Sequence, residues 1–426
     1  MEPAAAACGR RGAHALALQP GERVMKSWSL ACTAACAAWC HATWCGAGHA
    51  HAEGLQIYGT LDAAVGHFTG IRAHAGGGQP GRPPSRATTT VNAMGPGGAT
   101  GATLGLRGDE HLGGDTYLRF VAETGFCGVG LSQPDSGGDP WCGGGGFLQR
   151  QAWIGLDSPR IGAWRAGRQL TLLARHSAEA DAFGNSYTGQ VGNLSLIGNN
   201  LGGLGMKRLD QSVDWNAPTG TQGLELQAQY SAHAGMRAPY IDRDQPPDVG
   251  ALLAGVAWRR GGWLLGIDWS RWQHAFGSHP DRPDRSYRLL MAYAVAPLGE
   301  GSLYGQLQQG TADGGTGRQR LFSVGLSWPA ADPGGSWMLS AARHVDALSP
   351  TSVPLRASAA TQYAIGYRHA LSPATMVYAS AAHIANDSAE AGRRGTDFAV
   401  GAAGELFHGV AGRPSTGIAV GLSHSF

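Results

Sequence analysis

Three arginines stand next to leucines in segments where polar and apolar residues alternate. They are Arg107, Arg119 and Arg208. The acidic Asp210 is two positions after Arg208 and so shares its face. Because neighbouring side chains of an extended chain point to opposite faces, we expect these charges on the face opposite to the leucines. Fixed charges along a wall attract and orient ions and polar solutes. The chemistry they indicate is electrostatic selection, without bond making.

Residues that could perform catalysis form no recognisable motif. The sequence contains no HExxH, GxSxG or GxxxxGK[ST] pattern, and histidines such as His74, His274, His279 and His408 occur singly. We therefore expect no enzyme, no metal site and no cofactor. A Ser/His/Asp site assembled in space, as in an outer-membrane barrel hydrolase, is the less favoured alternative, because a triad is recognised by geometry.

The charges are placed by strands with one apolar face. The last twelve residues carry Ile418, Val420, Leu422 and Phe426 at even positions, with small or polar residues between them. About sixteen segments show this alternation. They start near residues 55, 100, 115, 147, 161, 208, 222, 249, 262, 284, 300, 318, 335, 360, 374 and 415. The pattern predicts an all-β, antiparallel transmembrane barrel of about 16 strands with both termini in the periplasm.

Composition agrees with a barrel and excludes other classes. Of 426 residues, 68 are glycine and 15% are charged, and the net charge is +2. No run of about 18 apolar residues follows the N-terminal region, which excludes a helical membrane span. The balanced charge gives no reason to expect a nucleic-acid partner. A lipid bilayer and small solutes are the expected partners.

The N-terminal region predicts export. Met25 and Lys26 begin a signal peptide, residues 25–52, which ends in the cleavage motif Ala50-His51-Ala52. The mature barrel would comprise residues 53–426. Residues 1–24 would then be an extension that precedes the true start of translation at Met25. The alternative is a cytosolic domain that starts at Met1.

Cysteine positions agree with this division. Five of the seven cysteines precede the predicted cleavage site, which leaves Cys127 and Cys142 in the mature chain. An even number in an oxidising compartment makes the two a candidate disulfide. The alternative is a pair of thiols that never meet.

Several segments together resemble one family. They are Leu55–Asp62 (LQIYGTLD), Leu104–Gly114 (LGLRGDEHLGG), Glu123–Phe126 (ETGF), Phe147–Leu156 (FLQRQAWIGL), Gly167–Gln169 (GRQ) and Gly421–Phe426 (GLSHSF). In order and spacing they resemble the general trimeric porins of the Gram-negative outer membrane, beta-proteobacterial type. The resemblance runs from about residue 55 to the C-terminus.

The resemblance implies a homotrimer of passive diffusion channels for ions and small hydrophilic solutes. It implies that the third extracellular loop, here Leu170 to Lys207 and called loop 3, folds into the lumen. There Glu179 and Asp181 would face a ladder of arginines across the constriction. It further implies that the outer-membrane assembly machinery recognises the terminal Phe426.

The expected ladder consists of five arginines. Arg107, Arg119 and Arg208 belong to it by alternation. Arg150 and Arg168 match family positions, although strict alternation puts them on the lipid face and a bulge would be needed to turn them inward. More arginines than acids suggests a mild anion preference. A solute-selective channel is the alternative, but no aromatic ladder is evident.

Overall fold

The computed structural model describes residues 54–72, 87–95, 97–125, 148–184, 186, 188–197, 206–218, 223–234, 250–273, 286–349, 353–401 and 409–426. The predicted extension, signal peptide and mature N-terminus at Glu53 lie outside these residues, as do Cys127 and Cys142.

Antiparallel strands make up almost all of the described regular structure. They are β1 (Gln56–Arg72), β2 (Thr88–Gly95), β3 (Thr103–Gly113), β4 (Thr116–Gly125), β5 (Gln151–Ser158), β6 (Gly162–Leu170), β7 (Arg208–Asn216), β8 (Leu224–Ser231), β9 (Ala251–Arg260), β10 (Trp263–Trp272), β11 (Tyr287–Leu298), β12 (Gly301–Ala312), β13 (Gln319–Pro329), β14 (Gly335–Asp346), β15 (Ser358–Ala370), β16 (Thr375–Asn386) and β17 (Ser415–Ser425). Helix α1 (Leu172–Glu179) and a 3-10 helix (Val191–Asn193) lie between β6 and β7. Among the described residues, no helix is long and apolar enough to cross a membrane.

The sheet closes on itself. β1 pairs with β17 from Thr60↔Ser425 to Thr69↔Thr416, and the backbones of Gly59 and Phe426 exchange two hydrogen bonds of 3.1 Å. Closure satisfies the edge strands, as a barrel in lipid requires. The prediction of a closed antiparallel barrel is confirmed.

The seventeen strands fill sixteen positions. β2 pairs with the part of β1 from Ala64 to Arg72, and β3 pairs with the part from Gln56 to Thr60. β2 and β3 are therefore two halves of one interrupted position. The prediction of about sixteen strands is confirmed, although none of the predicted segments corresponds to β2.

The outer face is apolar and the inner face is polar. Leu290, Leu307 and Phe322 are 46%, 54% and 46% exposed on the outside, whereas the inward Gln306 and Gln308 are 1% and 2% exposed. A soluble protein has the opposite arrangement, so lipid is the solvent that fits this exterior. The end that carries Phe426 and the short turns is the periplasmic end.

A buried apolar cluster lies inside the barrel. It is formed by residues between β6 and β7 together with the inner face of the wall, and includes Leu172, Leu194, Leu196, Leu209 and Leu253, all 0% exposed. The interior of the barrel is therefore partly filled by packed side chains.

Candidate functional site

Loop 3 begins after Leu170, the last residue of β6, with a capped helix. The side chain of Thr171 accepts a hydrogen bond of 3.1 Å from Ala174 N, which satisfies one of the free amides of the first turn of α1. The helix buries Leu172, Leu173 and His176. Its buried side directs loop 3 along the inside of the wall.

A polar cluster fixes the middle of α1 to β10 and β11. His176 Nδ1 lies 2.7 Å from Asp268 Oδ2 and 2.8 Å from the Tyr293 hydroxyl. The His176 and Tyr293 rings stack with centroids 4.7 Å apart, and the three residues are 3%, 0% and 4% exposed. Since a buried carboxylate without partners is costly, the contact holds the helix in one place.

The rest of loop 3 is hydrogen-bonded to the same side of the barrel. Gln306 of β12 donates to Ser177 O at 2.7 Å and to Ala180 O at 3.1 Å. Asn193 donates to Gln362 of β15 at 3.1 Å. The described part of the loop, including α1, thus contacts the inner wall from β8 to β15.

A contact among the described residues also holds loop 3 from the other side. Between β2 and β3 the chain bends inward, because Asp62 accepts hydrogen bonds from Gly97 N at 2.8 Å and Gly98 N at 3.0 Å. A Cβ on Gly98 would lie 2.1 Å from the Tyr378 hydroxyl, so only glycine fits. The carbonyl of Gly98 then accepts from Ser186 of loop 3 at 2.6 Å.

The wall that loop 3 leaves open carries arginines. Arg107 donates to Gln56 at 2.9 Å, and its guanidinium lies 5.1 Å from the centroid of the Tyr58 ring. The Tyr58 hydroxyl donates to Glu123 at 2.9 Å, and Arg150 pairs with the other oxygen of Glu123 at 2.7 Å. Arg107 and Arg150 thus meet around one tyrosine and one carboxylate. Both partners of Arg107 are uncharged.

The neighbouring strands continue this charged face. Arg119 pairs with Asp157 at 2.6 Å, and the two side chains are 49% and 38% exposed. Arg165 lies over the Trp153 ring, 4.8 Å from its centroid, and is directly opposite Asp214 in the sheet. Arginines and acids alternate around this part of the wall.

Arg208 differs from the prediction. Gln211 has a φ of 46° and forms a bulge, so that β7 has one more residue than β6 between two paired positions. Leu209 therefore points inward and is 0% exposed, and Arg208 and Asp210 lie on the opposite face. A one-residue shift reverses every face assignment before it. Arg208 donates to Arg150 O at 2.9 Å.

Arg168 lies on the outer face as well. It is directly opposite Ala152 in the sheet, on the same side of β5 as Ile154, which is 52% exposed. Its guanidinium pairs with Asp210 and donates to Gln149 O at 2.6 Å. The expected five-arginine ladder therefore divides into Arg107, Arg119 and Arg150 inside and a separate pair at the rim.

Of the two acids of loop 3, Glu179 is accessible. Its side chain is 43% exposed and pairs with Arg259 of β9 at 2.7 Å, and Arg259 also contacts Glu225 at 3.2 Å. Glu179 thus lies against a cation of the wall next to loop 3. Arg259 is therefore one cation between two acids, Glu179 and Glu225.

Asp181 is buried within the loop itself and is 6% exposed. Its carboxylate accepts from Phe183 N at 3.1 Å and from Val191 N at 2.7 Å. Burial raises the pKa of the Asp181 carboxyl to about 7. It shapes the loop, whereas the sequence predicted an open charge in the lumen.

A family model described as Gram-negative porin matches residues 31–389. The chain belongs to the Gram-negative porin family. It is therefore a channel of the outer membrane, in a family of channels rather than of enzymes.

One protein of known sequence and several solved structures are similar to this chain. An outer membrane porin protein of Bordetella pertussis is 25% identical over 379 residues, which cover 80% of this chain and 91% of the relative. The structure of an anion-selective porin from Comamonas acidovorans superposes with a TM-score of 0.66 at 20% identity, covering 88% and 99% of the two chains. The trimer form of Vibrio cholerae OmpT gives a TM-score of 0.54 at 11% identity, covering 88% and 99%.

This porin has charged residues that sequence reasoning missed. Arg259 follows the outward Trp258, so alternation could have found it, and the same is true of Arg165. Arg175 of α1 donates to Gln227 at 3.0 Å and lies 3.6 Å from Asp214. No strand pattern could have found a residue on a loop helix. Within the described residues, no cluster of His, Cys, Asp and Glu could hold a metal ion.

Proposed function

We propose that the protein is a passive diffusion channel whose narrowest part lies between loop 3 and the wall formed by β3 to β6. The observation that carries the proposal is that loop 3 is fastened to the β8–β15 side, while Arg107 and Arg119 stay exposed on the uncovered side. Ions and small hydrophilic solutes would pass between them. Asp181, being buried, does not contribute an open charge.

We further propose a mild anion preference. Arg107 contacts only uncharged partners in the described structure, whereas Arg119 and Glu179 are each paired with an opposite charge. The cluster of Arg107, Arg150 and Glu123 has two cations and one anion. A local excess of positive charge beside a narrow water column attracts anions. A structural neighbour from Comamonas acidovorans is described as anion-selective, which supports the proposal.

We propose that the channel works as a homotrimer that is inserted through recognition of Phe426. The apolar exterior gives surface for subunit contacts, and one of the solved neighbours is a trimer form. Phe426 is 53% exposed at the closing seam of the barrel, where an assembly factor could reach it.

Single-channel recording in a planar bilayer tests the function. The refolded protein should insert with a large conductance that rises linearly with salt concentration, and high voltage should close it in three equal steps. Heat-denatured protein is the control and should give no steps. A conductance that saturates with salt would indicate a binding site and contradict free diffusion, and a silent barrel would contradict the channel itself.

A further inference from the structure

Four ring side chains lie in a row on the outer face of the barrel at its periplasmic end. They belong to Trp328, Trp337, Tyr367 and His369. Together with Asp332, in the turn between β13 and β14, they form what we call the periplasmic cluster. We propose that the periplasmic cluster binds the headgroup of a phospholipid that carries both an ammonium and a phosphate. The proposal goes beyond transport, because the cluster lies outside the lumen.

Strand register places the rings on one face. Trp337 of β14 is directly opposite Trp328 of β13 and Tyr367 of β15. The ring centroids of Trp337 and Tyr367 are 4.9 Å apart, and those of Tyr367 and His369 are 6.5 Å apart. Trp328 and Trp337 are 42% and 48% exposed. Rings with an apolar body and a polar edge suit the level of the lipid headgroups.

The acid of the periplasmic cluster is held on this face above a glycine. A Cβ on Gly335 would lie 2.5 Å from Asp332 Oδ2 and 2.6 Å from the Tyr367 hydroxyl, so a side chain there would displace the contact. The Tyr367 hydroxyl donates to Asp332 Oδ2 at 2.5 Å, and His369 Nδ1 lies 2.8 Å from the same oxygen. The hydrogen bond from Tyr367 holds the pKa of the Asp332 carboxyl below its usual range. The carboxylate is therefore charged and fixed in place.

The periplasmic cluster keeps polar groups available to a ligand. Both contacts of Asp332 go to Oδ2, no other described residue donates to Oδ1, and the side chain is 47% exposed. The indole N–H groups of Trp328 and Trp337 likewise donate to no residue that the structure describes. By contrast, Trp164 and Trp215 at the same end of the barrel both donate to a backbone carbonyl. One acceptor and two donors are therefore left open.

This set of groups matches a headgroup with both charges. The open carboxylate oxygen accepts from an ammonium, and the faces of the aromatic rings add to the attraction for a cation. The indole N–H groups donate to phosphate oxygens. Among the described residues, no arginine or lysine forms a salt bridge with Asp332, whose ionisable partner is His369. The ammonium of a lipid thus meets no permanently charged competitor.

An apolar surface continues from the rings toward the middle of the membrane. Leu339 is two residues from Trp337 on β14, which is about 7 Å along a strand. Ile365 is directly opposite Leu339, and the two are 49% and 45% exposed. Acyl chains would lie against this surface while the headgroup contacts the cluster. A lysine of a periplasmic protein would offer the ammonium alone, without the phosphate or the acyl chains.

Native mass spectrometry of the detergent-solubilised porin tests the proposal. The probes are phosphatidylethanolamine and phosphatidylglycerol with the same acyl chains, since both carry a phosphate and the ethanolamine lipid alone carries an ammonium. The wild type should bind phosphatidylethanolamine more tightly. Asp332→Asn should bind it about fivefold more weakly, the upper range for an exposed ion pair, and should lose the preference. The matched control Glu300→Gln removes an exposed acid of another periplasmic turn and should keep the preference.

A second variant tests the phosphate contact separately. Trp328→Phe, Trp337→Phe keeps two aromatic rings and removes both indole N–H groups. It should bind both lipids about fivefold more weakly, because both carry a phosphate, and its preference for phosphatidylethanolamine should remain. Wild-type conductance of each variant in a planar bilayer shows that it has folded.

Four results would overturn the proposal. The first is equal binding of the two lipids by the wild type, which would favour a lysine of a periplasmic protein as the occupant. The second is an unchanged preference in Asp332→Asn. The third is a lower dissociation temperature of the Asp332→Asn oligomer in lipid-free detergent, which would make the cluster a contact between subunits. The fourth is unchanged binding of both lipids by the double tryptophan variant, which decides the matter if Asp332→Asn forms no channels.

Discussion

Replacing Arg107 with glutamine should shift ion selectivity toward cations. Arg107 is exposed, and its contacts with Gln56 and Tyr58 do not neutralise it. Glutamine keeps a polar side chain at this position while removing one positive charge. The change therefore tests the proposed role of the open wall without altering the backbone.

The size of the shift follows from the distance of a passing ion. At about 6 Å in water, one unit charge changes the energy of an ion by about 0.7 kcal/mol, and screening in about 0.1 M salt reduces this to about 0.4 kcal/mol. The sign is opposite for anions and cations. The anion-to-cation permeability ratio should thus fall about three- to fourfold at this salt concentration, and less than about 1.5-fold at about 1 M.

The zero-current potential in a KCl gradient measures this ratio. The matched control is the double variant Arg119→Gln, Asp157→Asn, which removes the ion pair of 2.6 Å and leaves the net charge unchanged. It should change the ratio little. An unchanged ratio in the Arg107 variant at low salt, or an equal shift in the control, would refute the assignment of this wall to the ion path.

Three further predictions concern assembly and stability. Deleting Phe426 removes the two hydrogen bonds to Gly59 that close the sheet, so outer-membrane fractions should contain less heat-resistant oligomer on gels; a normal amount would contradict this. His176→Ala leaves the Asp268 carboxylate buried without its nearest partner, which should cost about 3–5 kcal/mol and lower the urea midpoint of unfolding; an unchanged midpoint would show that the contact is not stabilising. Because the pKa of Asp181 is raised from 3.8 to about 7, the folded state binds more protons than the unfolded state in this range, and stability should fall as pH rises through it. The Asp181→Asn variant should lack this slope.

Strand alternation was sufficient to predict the barrel because each regular strand must put apolar side chains toward lipid. β2 was not predicted because its outer face carries Asn92, which bonds to His67, instead of a row of aliphatic residues. For this reason none of the sixteen alternating segments begins between residues 66 and 99. A strand whose outer face carries polar residues lacks the apolar alternation from which the other strands were predicted.

The charged residues were predictable only where the strands are regular. The face of Arg107 follows from alternation because β3 pairs with β4 without interruption from Thr103 to His111. Arg208 was placed on the wrong face because a bulge at Gln211 leaves no mark in the sequence. Whether Asp181 is open or buried depends on a backbone amide ten residues away, which no local pattern shows.

The fastening of loop 3 has a consequence for the order of assembly. Its contacts join residues far apart in the chain, such as Ser186 with Gly98 and Asn193 with Gln362, 88 and 169 positions away. Contacts of this range form late, because the entropy of closing long loops must be lost first. The partners across the seam between β1 and β17 are farther apart still, with 365 positions between Thr60 and Ser425. The same entropy argument therefore puts closure of the seam after the seating of loop 3.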